Sequence, residues 1–310
     1  MLFHGFYILN KKPLTVACWG DDAWETITSG STKPELFIWH CAWNQGTFAR
    51  MAKMKYKFFK LKQKGIKPIL VVNSKEEERL RRFFGITGFK SSSYVFVDEK
   101  DYAIQQTEKI YKAVYAAQIS GFKRIPLARK IDPLFVMTYK RGETQWDLHQ
   151  EYPTMSTAHY NNTWLDPKEK NGVLSKSSVG LCLSEEEGPM LASLEYMLNG
   201  LPVVSTPSKG GRDEYYDDRY CKIVEPSALL VGQGVDELIS NNIDPKFVRQ
   251  ETIKRLQADR KRYAENITNY IKAKHSISLN TEEMQKKWFD EPRSNFFPLS
   301  EYEKMVSSQS

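Results

Sequence analysis

The sequence predicts an α/β protein built on parallel sheets and divided into two domains. Three observations predict it. Short runs of β-branched and aromatic residues alternate with helical patterns almost throughout, as βαβ units do. Several runs, VGLCLS at 179–184 above all, are apolar without alternation, as strands covered on both faces are. The 310 residues suffice for about two domains of ordinary size.

The elements follow in order. Strands are expected near 6–10, 15–19, 36–42, 67–73 and 94–98, with helices near 47–64 and 74–84. A polar helical piece, AIQQTEKIYK at 103–112, marks a boundary, so the first domain is taken as 1–105 and the second as 106–245. The second domain carries strands near 113–119, 134–139, 158–164, 179–184, 202–206 and 221–226. Right-handed crossovers would set helices on both faces of each sheet. A long helix follows at about 245–272, with Ile253, Leu256, Tyr263, Ile267 and Tyr270 along one stripe and a basic opposite face. The segment 246–310 is expected to pack back on the body.

Charge divides the chain in the same way. Residues 1–111 hold 18 Lys/Arg against 11 Asp/Glu, whereas 112–310 hold 27 of each, so the whole +7 lies in the first third. Composition, 41% hydrophobic and 27% charged, excludes a disordered or fibrous chain. No run approaches the ~18 apolar residues that span a bilayer. The N-terminal apolar run has its lysines after it, unlike a secretory signal. Cys18, Cys41, Cys182 and Cys221 form no C-x-x-C pair, which fits a reducing cytosol. The five histidines show no H-E-x-x-H spacing, so no metal site is expected.

Chemistry concentrates at 179–226. A buried strand ends at Ser184, and SEEEG makes a turn. Pro189 stands where a first helical residue would lie, its missing N–H costing nothing there. The helix would stop at Gly200, a natural left-handed cap residue, with Pro202 just beyond. Such a helix points its N-terminus out of the carboxyl edge of a sheet, where open α/β folds bind ligands. The N–H groups of Gly188, Met190 and Leu191 would suit a phosphate there. Glu187 precedes the helix and Glu195 lies inside it, about 80° further around.

This stretch resembles the retaining GT-B glycosyltransferases, most closely glycosyltransferase family 4. The resemblance rests on E-x7-E, then G-L-P-V-V-S-T, then G-G-x-x-E. The matching residues are Glu187, Gly188, Leu191, Glu195, Gly200, Leu201, Pro202, Val203, Val204 and Thr206, followed by Gly210, Gly211 and Glu214. Weaker similarity covers about 36–240. KPELFIWH resembles a first-domain strand that ends in His, here His40. AVYAAQISGFKRIPLARKI resembles the opening of the second domain, with Lys123 on the family's Lys but Ala117-Gln118 where Gly-Arg is expected. Arg124 is the candidate substitute. NNTWLDPKEKNGVLSKSSVGLCLS resembles the loop around the nucleotide base, with Trp164 and Leu165 near it.

The resemblance implies two Rossmann-like domains facing a cleft and transfer of a sugar from a nucleotide diphospho-sugar, most often a UDP sugar, with retention. No cofactor is required, and no Asp-x-Asp of the metal-dependent GT-A class is present. Glu195 would bind the ribose hydroxyls, and Glu187 would contact the sugar and support positive charge at its anomeric carbon. Lys123 and Arg124 would neutralise the diphosphate. Pro189, Met190 and Leu191 would line the donor site, and Gly210 and Gly211 would admit the sugar or acceptor close to backbone, with Glu214 beyond. His40 would contact donor sugar or acceptor; the competing reading is a structural histidine at a strand end. A non-catalytic nucleotide-sugar-binding protein of the same fold is the alternative function.

The resemblance to GT-B enzymes also implies that the acceptor docks on the first domain. Residues 50–64, RMAKMKYKFFKLKQK, carry seven Lys/Arg and no acid, with Met51, Met54, Phe58 and Leu61 as one stripe. A basic amphipathic helix suits a membrane surface or a phosphate backbone; the competing reading is a core-facing helix with a solvated basic face. Two anionic acceptors follow: an envelope glycan or lipid-linked sugar, or a hydroxymethylated base in phage-type DNA, flipped from the duplex. The protein is expected to be cytoplasmic or peripheral to a membrane.

Overall fold

Only Lys11 to Leu14 separate β1 (Gly5–Asn10) from β2 (Thr15–Trp19). That link is too short for the crossover a parallel pair needs, and the two strands form an antiparallel hairpin. The computed structural model describes residues 5–290 and 292–307. Next along the chain come α1 (Gly20–Ser29), β3 (Leu36–His40), α2 (Phe48–Gln63), β4 (Lys67–Val72), α3 (Lys75–Phe83) and β5 (Gly88–Lys90). Strands β2 to β5 are parallel. A second series holds β6 (Tyr111–Gln118), β7 (Leu134–Tyr139), α4 (Leu148–Glu151), β8 (His159–Tyr160), α5 (Pro167–Ser175), β9 (Ser177–Cys182), α6 (Leu191–Leu198), β10 (Val203–Ser205), β11 (Cys221–Ile223) and α7 (Ala228–Ser240). Its six strands run parallel in the order β11-β10-β9-β6-β7-β8. The chain closes with α8 (Pro245–His275), α9 (Thr281–Phe289), β12 (Phe296–Pro298) and α10 (Tyr302–Ser307).

Two compact units result, Met1–Asp98 with Leu256–Ser310, and Glu99–Arg255. In the first unit the sheet order is β12-β1-β2-β3-β4-β5, with β12 antiparallel to β1. Alternate residues of its strands feed opposite cores. Phe6, Val16, Phe37 and Leu70 meet Met51 and Phe58 of α2 on one face. Tyr7, Ala17, Ile38 and Val71 meet Tyr263, Ile267 and Trp288 on the other. The C-terminal segment is thus part of the first core: Trp288 is fully buried and its indole N–H donates to the Leu9 carbonyl at 2.6 Å. Of the stripe read on α8, Leu256, Tyr263 and Ile267 are buried, while Ile253 and Tyr270 are half-buried. No described helix is long and apolar enough to cross a membrane.

Three local expectations need correction, the first being that the piece at 103–112 is not helical: it has no regular structure as far as Ile110 and is strand from Tyr111. The run at 94–98 is not a strand; Ser93–Phe96 forms a buried 3-10 turn. Arg260 takes the place of a ladder neighbour, donating to the carbonyls of Val95 and Val97 at 3.0 and 2.6 Å. The fifth strand is β5 instead, where Gly88 lets the backbones close: a Cβ there would lie 2.0 Å from the Leu70 oxygen. The strand expected at 158–164 shrinks to His159–Tyr160. Past it the Asn161 side chain, not backbone, pairs with Thr138 N and O, both at 2.7 Å.

The carboxyl edge of the second sheet depends on close contact between β9 and α6. Gly180 makes room for Tyr196, whose ring would lie 2.3 Å from an added Cβ. The Tyr196 hydroxyl also accepts from Ala116 N at 2.6 Å, so the ring has little freedom to retreat. We expect Gly180→Ala to cost about 1–3 kcal/mol as an overpacked core does. Gly121→Ala meets nothing within 4 Å and is the control. Urea midpoints of the two variants check this, and equal midpoints would refute the contact.

Candidate active site

Three loops leave the carboxyl ends of the neighbouring strands β10, β9 and β6 and are laced together. After β6, Phe122 O accepts from Glu185 N at 3.0 Å. After β9, Glu187 N donates to Lys209 O at 2.9 Å, and Lys209 N returns a bond to Glu185 O at 3.0 Å. After β10 come Gly210 and Gly211, with φ of 107° and 95°, a left-handed backbone that favours glycine. Glu214 follows in the turn Arg212–Tyr215, its N–H donating to Gly211 O at 3.1 Å.

Arg212 fastens this edge from inside. It is 1% exposed. Its donors reach Ser184 Oγ (2.8 Å), Ser205 Oγ (2.9 Å), Thr206 O (2.6 Å) and Asp213 Oδ1 (3.0 Å). Arg124, in a left-handed conformation at φ 50°, does similar work. It donates to Leu183 O at 2.7 Å and Thr206 Oγ1 at 2.8 Å, so its guanidinium is engaged by the strand ends.

Both motif glutamates are buried, and each is paired with a lysine. Glu187 is 7% exposed and forms an ion pair with Lys123 Nζ. Lys123 is set in place by the 3-10 turn Gly121–Lys123 and by Tyr115, whose hydroxyl donates to the Lys123 carbonyl at 2.5 Å. Glu195 is 8% exposed. Its Oε1 accepts from the Tyr102 hydroxyl at 2.9 Å, and its Oε2 pairs with Lys170 Nζ of α5.

The loop into α6 differs from expectation. Pro189 is not the first helical residue; the helix begins at Leu191, with Met190 extended at φ −81° and ψ 96°. The bridge between Glu186 and Lys209 keeps the loop along its neighbour, and the turn closes only when Ser193 N and Oγ reach Met190 O at 3.0 and 2.7 Å. Gly188, Pro189 and Met190 are buried, and Leu191 is half-buried. The far end follows the sequence: Gly200 is left-handed at φ 77°, with Gly200 N on Met197 O and Leu201 N on Tyr196 O.

An aromatic ledge stands at the same edge, beyond β7 and β8. Trp164 is 62% exposed, stacked on Tyr139 at 4.8 Å and edge-on to Trp146 at 5.8 Å. Leu165 beside it is half-buried. Burial, and then the charge of Glu187, push the Tyr139 phenol above its usual range.

His40 lies elsewhere, inside the first unit. It is 1% exposed, stacked on Trp19 at 4.6 Å, and its Nε2 is 2.9 Å from the Tyr263 hydroxyl. Nδ1 has no hydrogen-bond partner among the described residues. This placement suits a structural histidine. Tyr102 and Lys170 were not legible as site residues, because pairings 93 and 25 positions from Glu195 leave no local spacing signal.

The fold has known counterparts. No protein-family model matches the sequence, and no curated protein matches it significantly. Among solved structures, HepE from Anabaena in complex with UDP aligns at a TM-score of 0.59 and 11% identity, over 82% of this chain and 78% of that one. S. aureus TarM aligns at 0.55 and 14%, over 88% and 54%, so this chain spans about half of TarM's length. Sucrose-phosphate synthase from Thermosynechococcus elongatus aligns at 0.54 and 13%, over 85% and 68%. The fold is GT-B.

Burial pushes His40 down to about 3, well below an unfolded imidazole. The unfolded chain therefore binds the extra proton between about pH 6.5 and 3, and stability is lost as pH falls through that window. Its slope approaches about 1.4 kcal/mol per pH unit for one such group. We expect His40→Phe to flatten the acid limb of the stability curve relative to the parent protein. Urea melts from pH 7 to 4 measure it, and parallel curves would remove His40 as the source.

Proposed function

We propose that the protein is a retaining glycosyltransferase of the family 4 type, moving a sugar from a nucleotide diphospho-sugar, UDP-linked, to an acceptor hydroxyl. The observation that carries this reading is the arrangement of two buried glutamates, each matched to one lysine, at the carboxyl edge of the second sheet. HepE has been solved with UDP and with UDP-glucose, which supports the choice of donor.

The roles follow from charge. Glu195 accepts from the ribose hydroxyls, with Tyr102 orienting its carboxylate. Lys123 turns from Glu187 to the diphosphate, where negative charge grows as the glycosidic bond breaks. Glu187 takes the sugar hydroxyls and stabilises the positively charged anomeric carbon. The N-terminus of α6, entered through Gly188, Pro189 and Met190, adds its dipole to the phosphate side. Trp164 offers a flat face to the base. The bond from the anomeric carbon to the β-phosphate oxygen breaks, the acceptor oxygen bonds on the same face, and its proton passes to the departing phosphate. Gly210 and Gly211 leave backbone room beside that sugar. Closure of the enzyme over the donor would keep water out.

Ala117-Gln118 in place of Gly-Arg keeps a second reading alive, a non-catalytic nucleotide-sugar-binding protein. Release of nucleotide diphosphate only in the presence of acceptor separates the two. Acceptors to compare are a glycan or lipid-linked sugar and hydroxymethylated DNA.

Two substitutions test the roles. Glu195→Ala should weaken nucleotide binding by at least about tenfold, the loss expected when a charge-assisted hydrogen bond worth about 1.5–3 kcal/mol is removed; unchanged affinity in a thermal-shift titration would end the ribose role. For reference, a ligand at 100 times its Kd adds about 2.7 kcal/mol of stability. Glu187→Gln should abolish transfer while nucleotide affinity stays near the parent's. An active Glu187→Gln enzyme would exclude that carboxylate from the chemistry.

A further inference from the structure

The basic helix does not present the surface its sequence pattern promises. Met51, Met54, Phe58 and Leu61 of α2 are all buried in the core of the first unit. That stripe cannot enter a membrane while the unit is folded. The outer face of the helix is nonetheless apolar in part. Phe48, Tyr56 and Phe59 are 60%, 61% and 52% exposed, and Phe83 at the end of α3 is 73% exposed.

These rings form one ridge. At 100° per residue, Phe48, Phe59 and Tyr56 fall within about 80° of one another on α2. Phe48 continues the ridge to α3, with its ring 5.8 Å from Phe83 and 4.7 Å from Phe84. Lysines border it on both sides. Lys55 and Lys62 lie on one flank and Lys53 and Lys60 on the other, all four exposed. The Lys60 ammonium sits 5.5 Å from the Tyr56 ring centre. The helix carries no acid, and on α3 Glu78 is already held by Arg81 and Arg82.

We propose that this α2–α3 face docks on an anionic lipid bilayer, with the aromatic ridge at the headgroup boundary and the lysines on lipid phosphates. An exposed phenylalanine ridge gains from leaving water, which phosphate contact alone does not require. Single-stranded nucleic acid stacks its bases within a groove, whereas this ridge lies on the convex outer side of a helix. Lysine stems flanking a ring can extend their charge to the headgroups while the ring sits deeper. The proposal deepens the glycosyltransferase reading by placing a membrane-borne acceptor beside the first unit, and it rests on that reading only for this consequence. Docking itself is measured with no donor present, so its failure and the failure of glycosyl transfer are separate results.

The test is co-sedimentation of the full chain with extruded vesicles, either pure phosphatidylcholine or phosphatidylcholine with phosphatidylglycerol. We expect binding to the anionic vesicles at least about tenfold tighter than to the neutral ones. Phe48→Ser with Phe83→Ser, and separately Lys53→Glu with Lys60→Glu, should each weaken it by about tenfold or more. Lys272→Glu with Lys274→Glu, exposed on α8, should leave binding unchanged. Unaltered thermal transitions confirm that each variant is folded. Equal binding by the phenylalanine variant would overturn insertion of the ridge. Absence of vesicle binding, with salt-sensitive duplex DNA binding lost in the lysine variant, would assign the face to nucleic acid instead. Concentration-dependent self-association abolished by Phe83→Ser would assign it to a second copy of the chain.

Discussion

One buried guanidinium holds the candidate site in shape. Arg212 lies between the ends of β9 and β10 and donates to Ser184, Ser205, Thr206 and Asp213. A charge so fully removed from water is tolerable only when its donors are satisfied. Those bonds therefore constrain the loops on both sides. The loop after β9 carries Glu187, and the loop after β10 carries Gly210 and Gly211. The Glu186–Lys209 bridge then joins the two loops directly. Arg124 repeats the device from the third loop by binding Leu183 and Thr206. Two arginines thus form the frame, and lysines are left facing the glutamates.

That division of labour explains why the cations of this site are not interchangeable. A planar guanidinium with several fixed donors suits a network of carbonyl and hydroxyl acceptors. An ammonium on a flexible stem can change partner. Lys123 and Lys170 each neutralise a buried carboxylate, and each remains partly exposed, at 13% and 32% of its side chain. Residues 99–102, at the start of the second unit, are fixed to the same place. Tyr102 bonds Glu195 through its hydroxyl, while its carbonyl and those of Glu99 and Leu198 accept from Arg249 of α8. The start of the second unit is thereby tied to the middle and the C-terminal end of α6.

Much of the fold was legible because it rests on local pattern. The strands near 15–19 and 134–139 match in place and length, since continuous apolar runs bounded by turn residues have few other uses. Thr47 and Ser74 cap α2 and α3 through their side chains, so the starts of those helices were written locally. Gly200 ended α6 because a left-handed residue was needed there. Two of the errors share one cause. At 94–98 the distant Arg260 side chain took the carbonyls that a strand neighbour would have taken, and at 158–164 the Asn161 side chain replaced its own backbone in the pairing with Thr138. Pro189 misled because the Glu186–Lys209 bridge delays the first helical turn.

By itself the sequence determined two units built on parallel strands and the strand–loop–helix that carries Glu187 and Glu195. Each of these follows from spacing along one short segment. Only the tertiary structure decided which side chains answer those glutamates, that His40 is buried against Trp19 and Tyr263, that Arg124 and Arg212 bond the strand ends, and that the C-terminal segment completes the first core. Most of these are partnerships between residues tens to hundreds of positions apart. Hydrogen bonding and burial act on distance in space, and chain periodicity carries no record of it.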